Sequence, residues 1–358
     1  MGDGRTPLPY ATYENDRIIV PSSSMACMAV ASSGIENTSG VMDSGRAPRV
    51  VYCGMFGALS RLPFAALAAG AVDLRAVIVP PRTPQAVLSA APAVRELRPP
   101  ADWSPRPASL AALLARTIVE LAWVRGIPVY EVARFDAVAV ATIAAHTPDL
   151  LAVSCFPLRF PRALLALPPL GVLNVHPALL PRGRGPDPLF WAFRERDPER
   201  AGAGGITVHL MDAGLDSGPI VAQERVPLTD GIGGGELELQ LAARGATLLA
   251  GAVAALADGH ATPRPQDEAL ATSFPAPVAA DCSFGPDAPA RWLFNFVRGT
   301  AGAGWPHVLI VGARRWQILA ARGYDPAATL PTAVQEDGEL LRVHCAPGVF
   351  TALARPLA

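Results

Sequence analysis

The chain has 358 residues, enough for two domains that each bury a core, and 51% of its residues are hydrophobic. Its formal net charge of −1 excludes a general electrostatic attraction to nucleic acid, and all of its basic residues are arginine. The five cysteines are scattered and have no CxxC spacing, so they indicate neither a disulfide framework nor a zinc site.

The first 47 residues lack hydrophobic periodicity and are rich in Ser, Gly and Pro. The apolar run at 25–31 is too short to span a membrane and no basic region directly precedes it, so a signal peptide is not predicted. We therefore expect residues 1–47 to be a disordered or mis-annotated extension of a cytoplasmic protein.

An α/β pattern begins at Pro48, where short apolar runs alternate with helical periods. Strands are predicted at 49–53, 74–79, 127–130, 149–155 and 172–175, and helices at 59–69, 110–125 and 136–146. The turn Gly54-Met-Phe-Gly57 is not a GxGxxG fingerprint, so no dinucleotide site is predicted. Residues 80–109 contain proline pairs without a clean period, and we interpret them as a loop.

A polar pair lies at the end of the strand at 172–175, which Pro177 stops. Asn174 and His176 are two residues apart, so they point from the same face at the carboxyl end of the strand, where open α/β sheets bind ligands. A further strand at 206–211 leads into the turn 212–219, which contains Asp216. Asn, His and Asp from two strand ends predict a polar site.

Each of these residues also has a structural interpretation when it is considered alone. His176 could cap the strand end, Asp216 could form the turn, and Asn174 could satisfy backbone groups of a neighbouring loop. His209 has apolar neighbours on both sides in the sequence and is predicted to be structural.

Two motifs in a fixed order favour a functional role over these structural ones. Asn174-Val-His176 is followed by Ala178-Leu-Leu-Pro181 and Arg184-Gly185, and Leu215-Asp-Ser-Gly218 comes later. In these residues the chain resembles the folate-dependent formyltransferase family, and most closely the methionyl-tRNA formyltransferases. The resemblance implies that Asn174, His176 and Asp216 are catalytic and that 10-formyltetrahydrofolate is the formyl donor.

The resemblance also implies where the folate binds. The segment from Phe156 to Phe160 aligns with the part of the family that lines the formyl and pterin pocket, and the glycines of the 212–218 turn would let the backbone approach a flat ligand. The predicted folate-binding residues are Phe156, Pro157, Leu158, Arg159, Ala178, Leu179, Leu180, Pro181, Asp212 and Gly214.

Formyl transfer explains the need for these residue types. It passes through a tetrahedral carbon that bears an oxyanion, and a proton must move from the attacking nitrogen to the leaving one. We expect the Asn174 amide and a protonated His176 to donate to the oxyanion, while Asp216 favours the charged imidazole and takes the proton of the amine. This chemistry needs no metal, and the chain has no HExxH motif or Cys/His cluster.

The second half of the chain changes its period. A helix is predicted at 245–256, a linker at 261–284, a helix at 289–298, and short strands separated by Gly turns after it. We predict a Rossmann-like α/β catalytic domain with a mostly parallel sheet at 48–260 and a small β-barrel at 285–358, which the resemblance to the family implies is OB-like.

The acceptor amine stays open at this stage. Arginine-rich stretches at 182–200 and 291–322, the second with Trp292, Trp305 and Trp316, either bind initiator tRNA or form a solvated face over a core. In methionyl-tRNA formyltransferases the region equivalent to 80–109 carries a basic loop, but here its arginines are mixed with acids. The alternatives are an enzyme that acts on methionyl-tRNA, one that acts on a small amine such as an amino sugar, and a non-catalytic paralogue. We expect a monomer without membrane association.

Overall fold

The computed structural model describes residues 46–82, 92–105 and 116–357. The extension predicted at 1–47 therefore lies almost entirely outside the described residues, as does the first part of the helix predicted at 110–125.

A large sheet occupies the first part of the described chain. Its strands are β1 (Arg49–Gly54), β2 (Asp73–Val79), β3 (Val94–Glu96), β4 (Val129–Val132), β5 (Leu150–Ser154), β6 (Val172–His176), β7 (Gly205–Leu210) and β8 (Ile220–Arg225). Their order is β3-β4-β2-β1-β5-β6-β7-β8, and the five strands from β4 to β6 run parallel. The predicted Rossmann-like, mostly parallel sheet is confirmed.

Helices cover both faces of this sheet, which explains the near-continuous apolar sequences of β1, β2 and β5. The described helices are α1 (Ala58–Ala69), α2 (Ile118–Val124), α3 (Ala137–Ala144), α4 (Arg162–Leu165), α5 (Pro188–Arg194), α6 (Gly234–Ala257) and α7 (Ala290–Gly299). Local signals set their starts: Thr117 and Glu120 form a capping box before α2, and Asp136 accepts hydrogen bonds from two backbone N–H groups of α3.

Several predictions for this part of the chain were wrong in detail. Residues 80–109 are not all loop, because β3 pairs antiparallel with β4. β7 runs antiparallel to its neighbour β6, which a mostly parallel sheet allows. The helix predicted at 245–256 begins earlier, at Gly234, since its first turns contain Gly and Glu residues that hide the apolar period.

α6 is long and apolar enough to cross a membrane by length and composition alone. A core helix passes the same test, and one side of α6 is buried through Leu237, Leu241, Gly245 and Leu249. Gly245 allows this close packing, because an added Cβ would lie 2.8 Å from the side chain of Ile206 and 2.9 Å from that of Val175 and would force them to shift.

A second, mostly antiparallel sheet follows. Its strands are β9 (Ser283–Phe284), β10 (His307–Val311), β11 (Arg314–Asp325), β12 (Val334–Asp337), β13 (Leu340–His344) and β14 (Val349–Leu357), in the order β12-β13-β14-β11-β10-β9. A second β-domain after a mostly parallel sheet agrees with the predicted fold class, and the exact domain boundaries stay predictions.

One hydrophobic core continues from the first sheet into the second. Phe190 of α5 meets Phe296 of α7 with ring centroids 6.0 Å apart. Phe193, also of α5, covers Gly299, where an added Cβ would lie 2.2 Å from the ring. The two sheets are therefore joined by packed side chains as well as by the chain.

Residues 261–284, which we call the connecting segment, are held along the first domain. Arg264 pairs with Ile220 of β8, and the ring of Phe274 stacks on Trp191 with centroids 5.0 Å apart. The indole N–H of Trp191 donates to the Pro275 carbonyl over 2.8 Å. The prediction of a linker was therefore incomplete, because much of this segment is bonded to the loops that follow β6.

Candidate active site

Asn174, His176 and Asp216 meet at one place in the structure. Asn174 and His176 lie on the same face of β6, as their spacing predicts. The turn after β7 folds back over that strand and brings Asp216 Oδ1 to 3.5 Å from Asn174 Nδ2, and its Oδ2 to 3.7 Å from His176 Nδ1. The antiparallel direction of β7 means that Asp216 arrives by this fold-back and not from a parallel strand end.

Asp216 is held in an uncommon backbone conformation, with φ of 51°. Its Oδ2 accepts the N–H of Gly185 over 3.0 Å. Burial alone would raise the pKa of this carboxyl, but His176, His209 and the Gly185 hydrogen bond hold the pKa well below its usual range. The group is therefore an ionised carboxylate in a largely buried place.

His176 is buried, and its Nε2 lies 2.9 Å from the Gly183 carbonyl oxygen. That oxygen can only accept, so Nε2 carries the proton and Nδ1 faces Asp216. Burial lowers the pKa of His176, and the attraction of Asp216 offsets this only in part. Burial thus opposes the charged imidazole more than Asp216 favours it, and the protonated His176 expected during the reaction stays a prediction.

His209 belongs to the same cluster, and its predicted structural role was incomplete. It lies directly opposite Asn174 in the β6–β7 pair. Its Nδ1 donates to the Leu210 carbonyl over 3.0 Å, so its Nε2 accepts from Asn174 Nδ2 at 3.2 Å and lies 3.7 Å from Asp216 Oδ1. His209 thus orients the Asn174 amide.

The segment Phe156–Phe160 is predicted to bind folate. It follows β5, which is parallel to β6, so it begins at the same edge of the sheet as His176. Phe156, Leu158 and Phe160 pack against the apolar cluster beneath it, and the first two are half-buried. Arg159 Nη2 donates to the Ala213 carbonyl over 3.3 Å, so this segment touches the turn that carries Asp216. Phe156, Pro157, Leu158 and Arg159 are thus placed beside the site, and their ligand contacts stay predictions.

The segment 178–181 is largely packed against its own domain. Ala178 and Leu180 are buried, and their backbone groups bond to the Thr207 hydroxyl. Leu179 covers Gly205, and its N–H donates to Gly202. Pro181 is half-buried. Contacts of Ala178, Leu179, Leu180 and Pro181 with folate stay predictions, and the structure assigns the segment a packing role.

Asp212 and Gly214 lie in the exposed turn before Asp216. Asp212 Oδ1 accepts the Gly214 N–H over 2.9 Å and the Ser217 hydroxyl over 2.7 Å. An added Cβ at Gly214 would lie 2.1 Å from the Ser217 hydroxyl and would displace it from Asp212. Asp212 therefore shapes the turn through its side chain, which occupies the Gly214 N–H, and contacts of Asp212 and Gly214 with folate stay predictions.

Most arginines of the stretch 182–200, and two of the five in the stretch 291–322, form ion pairs with acids. Arg196 pairs with Asp287, Arg200 with Glu195, Arg291 with Asp230 and Arg314 with Glu336. Trp316 is 1% exposed, and Trp292 stacks on Phe296 with centroids 5.1 Å apart. These tryptophans pack in the core and do not form a stacking surface.

A different set of arginines lies on the outer face of the second sheet. Arg315 is paired diagonally with Arg355 across β11 and β14, and Arg342 lies on the same face of β13. Arg355 is bonded to Gln317 and Arg342 reaches Gln335 at 3.5 Å. Among the described residues none of the three forms an ion pair.

Comparison with known proteins agrees with this geometry. A family model described as formyl transferase matches residues 108–253. A curated methionyl-tRNA formyltransferase of Pelobacter propionicus is 34% identical over 238 residues, which cover 66% of this chain and 73% of that protein. Another, of Roseiflexus sp., is 43% identical over 170 residues, which cover 47% of this chain and 51% of that protein.

Solved structures share the fold at low sequence identity. A sugar 3N-formyl transferase, solved in the presence of dTDP and 5-N-formyl-THF, matches with a TM-score of 0.58 and 11% identity over 87% of this chain and 99% of that one. An N-formyltransferase from Helicobacter canadensis, in complex with folinic acid and dTDP-3-aminofucose, matches with a TM-score of 0.57 and 11% identity over 86% of this chain and 99% of that one.

Proposed function

The chain belongs to the folate-dependent formyltransferase family, and we propose that it transfers the formyl group of 10-formyltetrahydrofolate to a primary amine. The observation that carries this proposal is the meeting of Asn174 and His176 with the ionised Asp216, at 3.5 Å and 3.7 Å, in the positions of two family motifs.

The residues beside the site fit a flat, polar-edged ligand. Phe156 and Leu158 offer an apolar wall, and the exposed turn from Asp212 to Leu215 offers main-chain donors and acceptors. The bound folate supplies the formyl carbon, and these residues orient it toward His176 and Asp216.

The protonation states of the site define its roles. His176 Nδ1 is free of a proton and takes one from the attacking amine, because Nε2–H is committed to Gly183. Asp216 stabilises the imidazolium so formed, and His176 then returns the proton to the leaving nitrogen. One N–H of the Asn174 amide donates to His209, and the other, which lies 3.5 Å from Asp216 Oδ1, donates to the formyl oxygen when the folate is bound.

The favoured acceptor is the amino group of initiator methionyl-tRNA. Two observations support it. The curated relatives are named methionyl-tRNA formyltransferase. Arg315, Arg342 and Arg355 share a face and have no acidic partners among the described residues. A cytoplasmic location suits this acceptor. The second candidate is a small-molecule amine, which the ion-paired arginines at 182–200 and the net charge of −1 favour.

One assay separates these acceptors. The full chain is incubated with 10-formyltetrahydrofolate labelled in the formyl group, and label is followed into charged initiator tRNA and into a panel of small amines, amino sugars included. Salt-sensitive transfer to the tRNA supports the first acceptor, and transfer to a small amine alone supports the second. Absence of transfer to any amine, with folate still bound, would identify a non-catalytic paralogue and overturn the proposal.

A further inference from the structure

Gln266, in the connecting segment, is fully bonded between the two loops of the site. Its Nε2 donates to the carbonyls of Asp216 and Gly218, both over 2.8 Å. Its Oε1 accepts from Arg184 Nε over 3.2 Å and from Nη2 over 2.8 Å. A side-chain amide has two donor hydrogens and two acceptor lone pairs, so these bonds use its whole capacity and fix its orientation.

Arg184 is held from the other side. Its side chain is 8% exposed and forms a two-pronged pair with Glu268, with Nη1 at 2.9 Å and Nη2 at 2.7 Å from the carboxylate oxygens. Its backbone is tied to the same segment, since its N–H donates to Thr272 and its carbonyl accepts from Phe274. A guanidinium held by such a bidentate ion pair has little freedom to move.

The residues on either side of Arg184 reach the reacting pair. The Gly183 carbonyl accepts from His176, and the Gly185 N–H donates to Asp216. Both glycines have positive φ and are closely covered: an added Cβ would lie 2.2 Å from the Ala201 carbonyl at Gly183 and 2.1 Å from the Phe274 carbonyl at Gly185. The connecting segment thus fixes the peptide that bonds to His176 and Asp216.

The conformation of Asp216 makes such support necessary. A non-glycine residue at a φ of 51° persists only when its surroundings determine it more strongly than its own preference does. Gln266 bonds to the carbonyl of Asp216 itself and to that of Gly218, two residues later, so it supports the turn directly at the strained residue.

We propose that Gln266 and Arg184 are positioning residues that hold the Asp216 carboxylate against His176, with Glu268 fixing the guanidinium. The inference rests on the proposed function in taking Asp216 and His176 as the proton-transfer pair. Neither positioning residue contacts substrate. They act by setting the separation of the pair, and a displacement of about 1 Å at a reacting group can lower turnover roughly 100-fold.

The test replaces the amide by an apolar side chain of similar shape, Gln266→Leu, in the full chain. We expect kcat to fall roughly 100-fold while KM for the folate is unchanged. NMR titration of the imidazoles should show the pKa of His176 moving to lower pH, because among the described residues Asp216 is the anionic group that faces that ring, beside His209 and the Gly183 carbonyl. Glu268→Gln, at an exposed carboxylate, should change both quantities in the same direction by less.

Gln223→Leu is the matched control, since Gln223 also donates through Nε2 over 2.8 Å to two acceptors but contacts neither Asp216 nor Arg184. It should lower Tm without moving the titration of His176. The titration needs no turnover, so it tests the positioning role even if formyl transfer is not found. If Gln266→Leu and Glu268→Gln both leave the His176 titration where it is in the wild type, the positioning role is wrong.

Discussion

Charged groups are placed in opposite ways in the Asp216 site and on the outer face of the second sheet. The side chain of Asp216 is 11% exposed and lies among Asn174, His176, His209 and the Gly185 N–H. Arg315 and Arg355 are exposed, and within the part of the chain that the structure describes their only side-chain hydrogen bonds are the two from Arg355 to Gln317.

The difference separates two kinds of function. A buried charge is costly unless each of its bonds is satisfied, so the site depends on the position of single atoms. An exposed cation is screened by water and salt, so its own contribution to binding is small. Several such cations together contribute a measurable attraction. We therefore expect single substitutions to abolish the chemistry, and only combined substitutions to change acceptor binding.

The most severe test puts a charge where the site has an apolar wall. Leu158→Arg should abolish folate binding, because a guanidinium there would be desolvated without a partner. Titration with the folate measures this. Leu165→Arg, at a half-buried position that packs on the same cluster, is the control and should reduce stability while folate still binds. Unchanged folate affinity in Leu158→Arg would mean that the pocket lies elsewhere.

Removing the buried charge itself should come next in size. Asp216→Asn keeps the volume of the side chain but cannot stabilise an imidazolium at His176, so kcat should fall on the order of a hundredfold or more. Folate affinity and near-wild-type folding are the controls. Near-normal turnover in a folded, folate-binding variant would exclude the proposed pair.

A buried imidazole in the second sheet shows that the same rule applies there. Burial lowers the pKa of His307 to about 4, and its Nε2 lies 2.7 Å from the Thr300 hydroxyl, which itself donates to Phe296. The unfolded chain then binds the proton more tightly than the folded one. Stability should therefore fall as pH drops from about 6.5 towards 4, by up to about 3 kcal/mol.

Denaturant unfolding of the wild type and His307→Gln across this range measures the effect. As the pH falls, the free energy of unfolding should decrease more in the wild type than in the variant, because glutamine does not titrate. A constant difference between the two from pH 7 to pH 4 would contradict the inferred cost of burying this imidazole.

The smallest effect is expected at the exposed arginines. Arg315→Gln combined with Arg355→Gln should weaken tRNA binding and flatten its salt dependence by up to about two phosphate contacts, without changing folate affinity. Arg291→Gln is the control, because Asp230 already neutralises that guanidinium over 2.9 Å. A slope equal to that of the wild type in the double variant would count against this face as the tRNA surface.

The sequence predicted the parts of the site that depend on local periods. Asn174 and His176 share a face because strand residues alternate, and Pro177 marks the strand end. The five parallel strands follow from short apolar runs between helical periods. The two motifs indicated that Asp216 would join the pair, which the structure shows at 3.5 Å and 3.7 Å.

The remainder depends on contacts between distant segments. His209 lies opposite Asn174 only because β7 runs antiparallel in one register, and no local pattern reveals that register. Gln266 lies 50 residues from Asp216, within a stretch whose prolines resemble those of a linker. The protonation of His176 follows from its burial, which a sequence motif does not express.

The core shared by the two sheets has a mechanical consequence. Phe193 seals Gly299, Gly234 approaches the Gly299 carbonyl so closely that an added Cβ would lie 2.1 Å from it, and Phe190 meets Phe296. Packed aromatic rings of this kind do not slide continuously, so the joint between the sheets offers no hinge. The second sheet is therefore expected to keep its position relative to the first while substrates enter and leave.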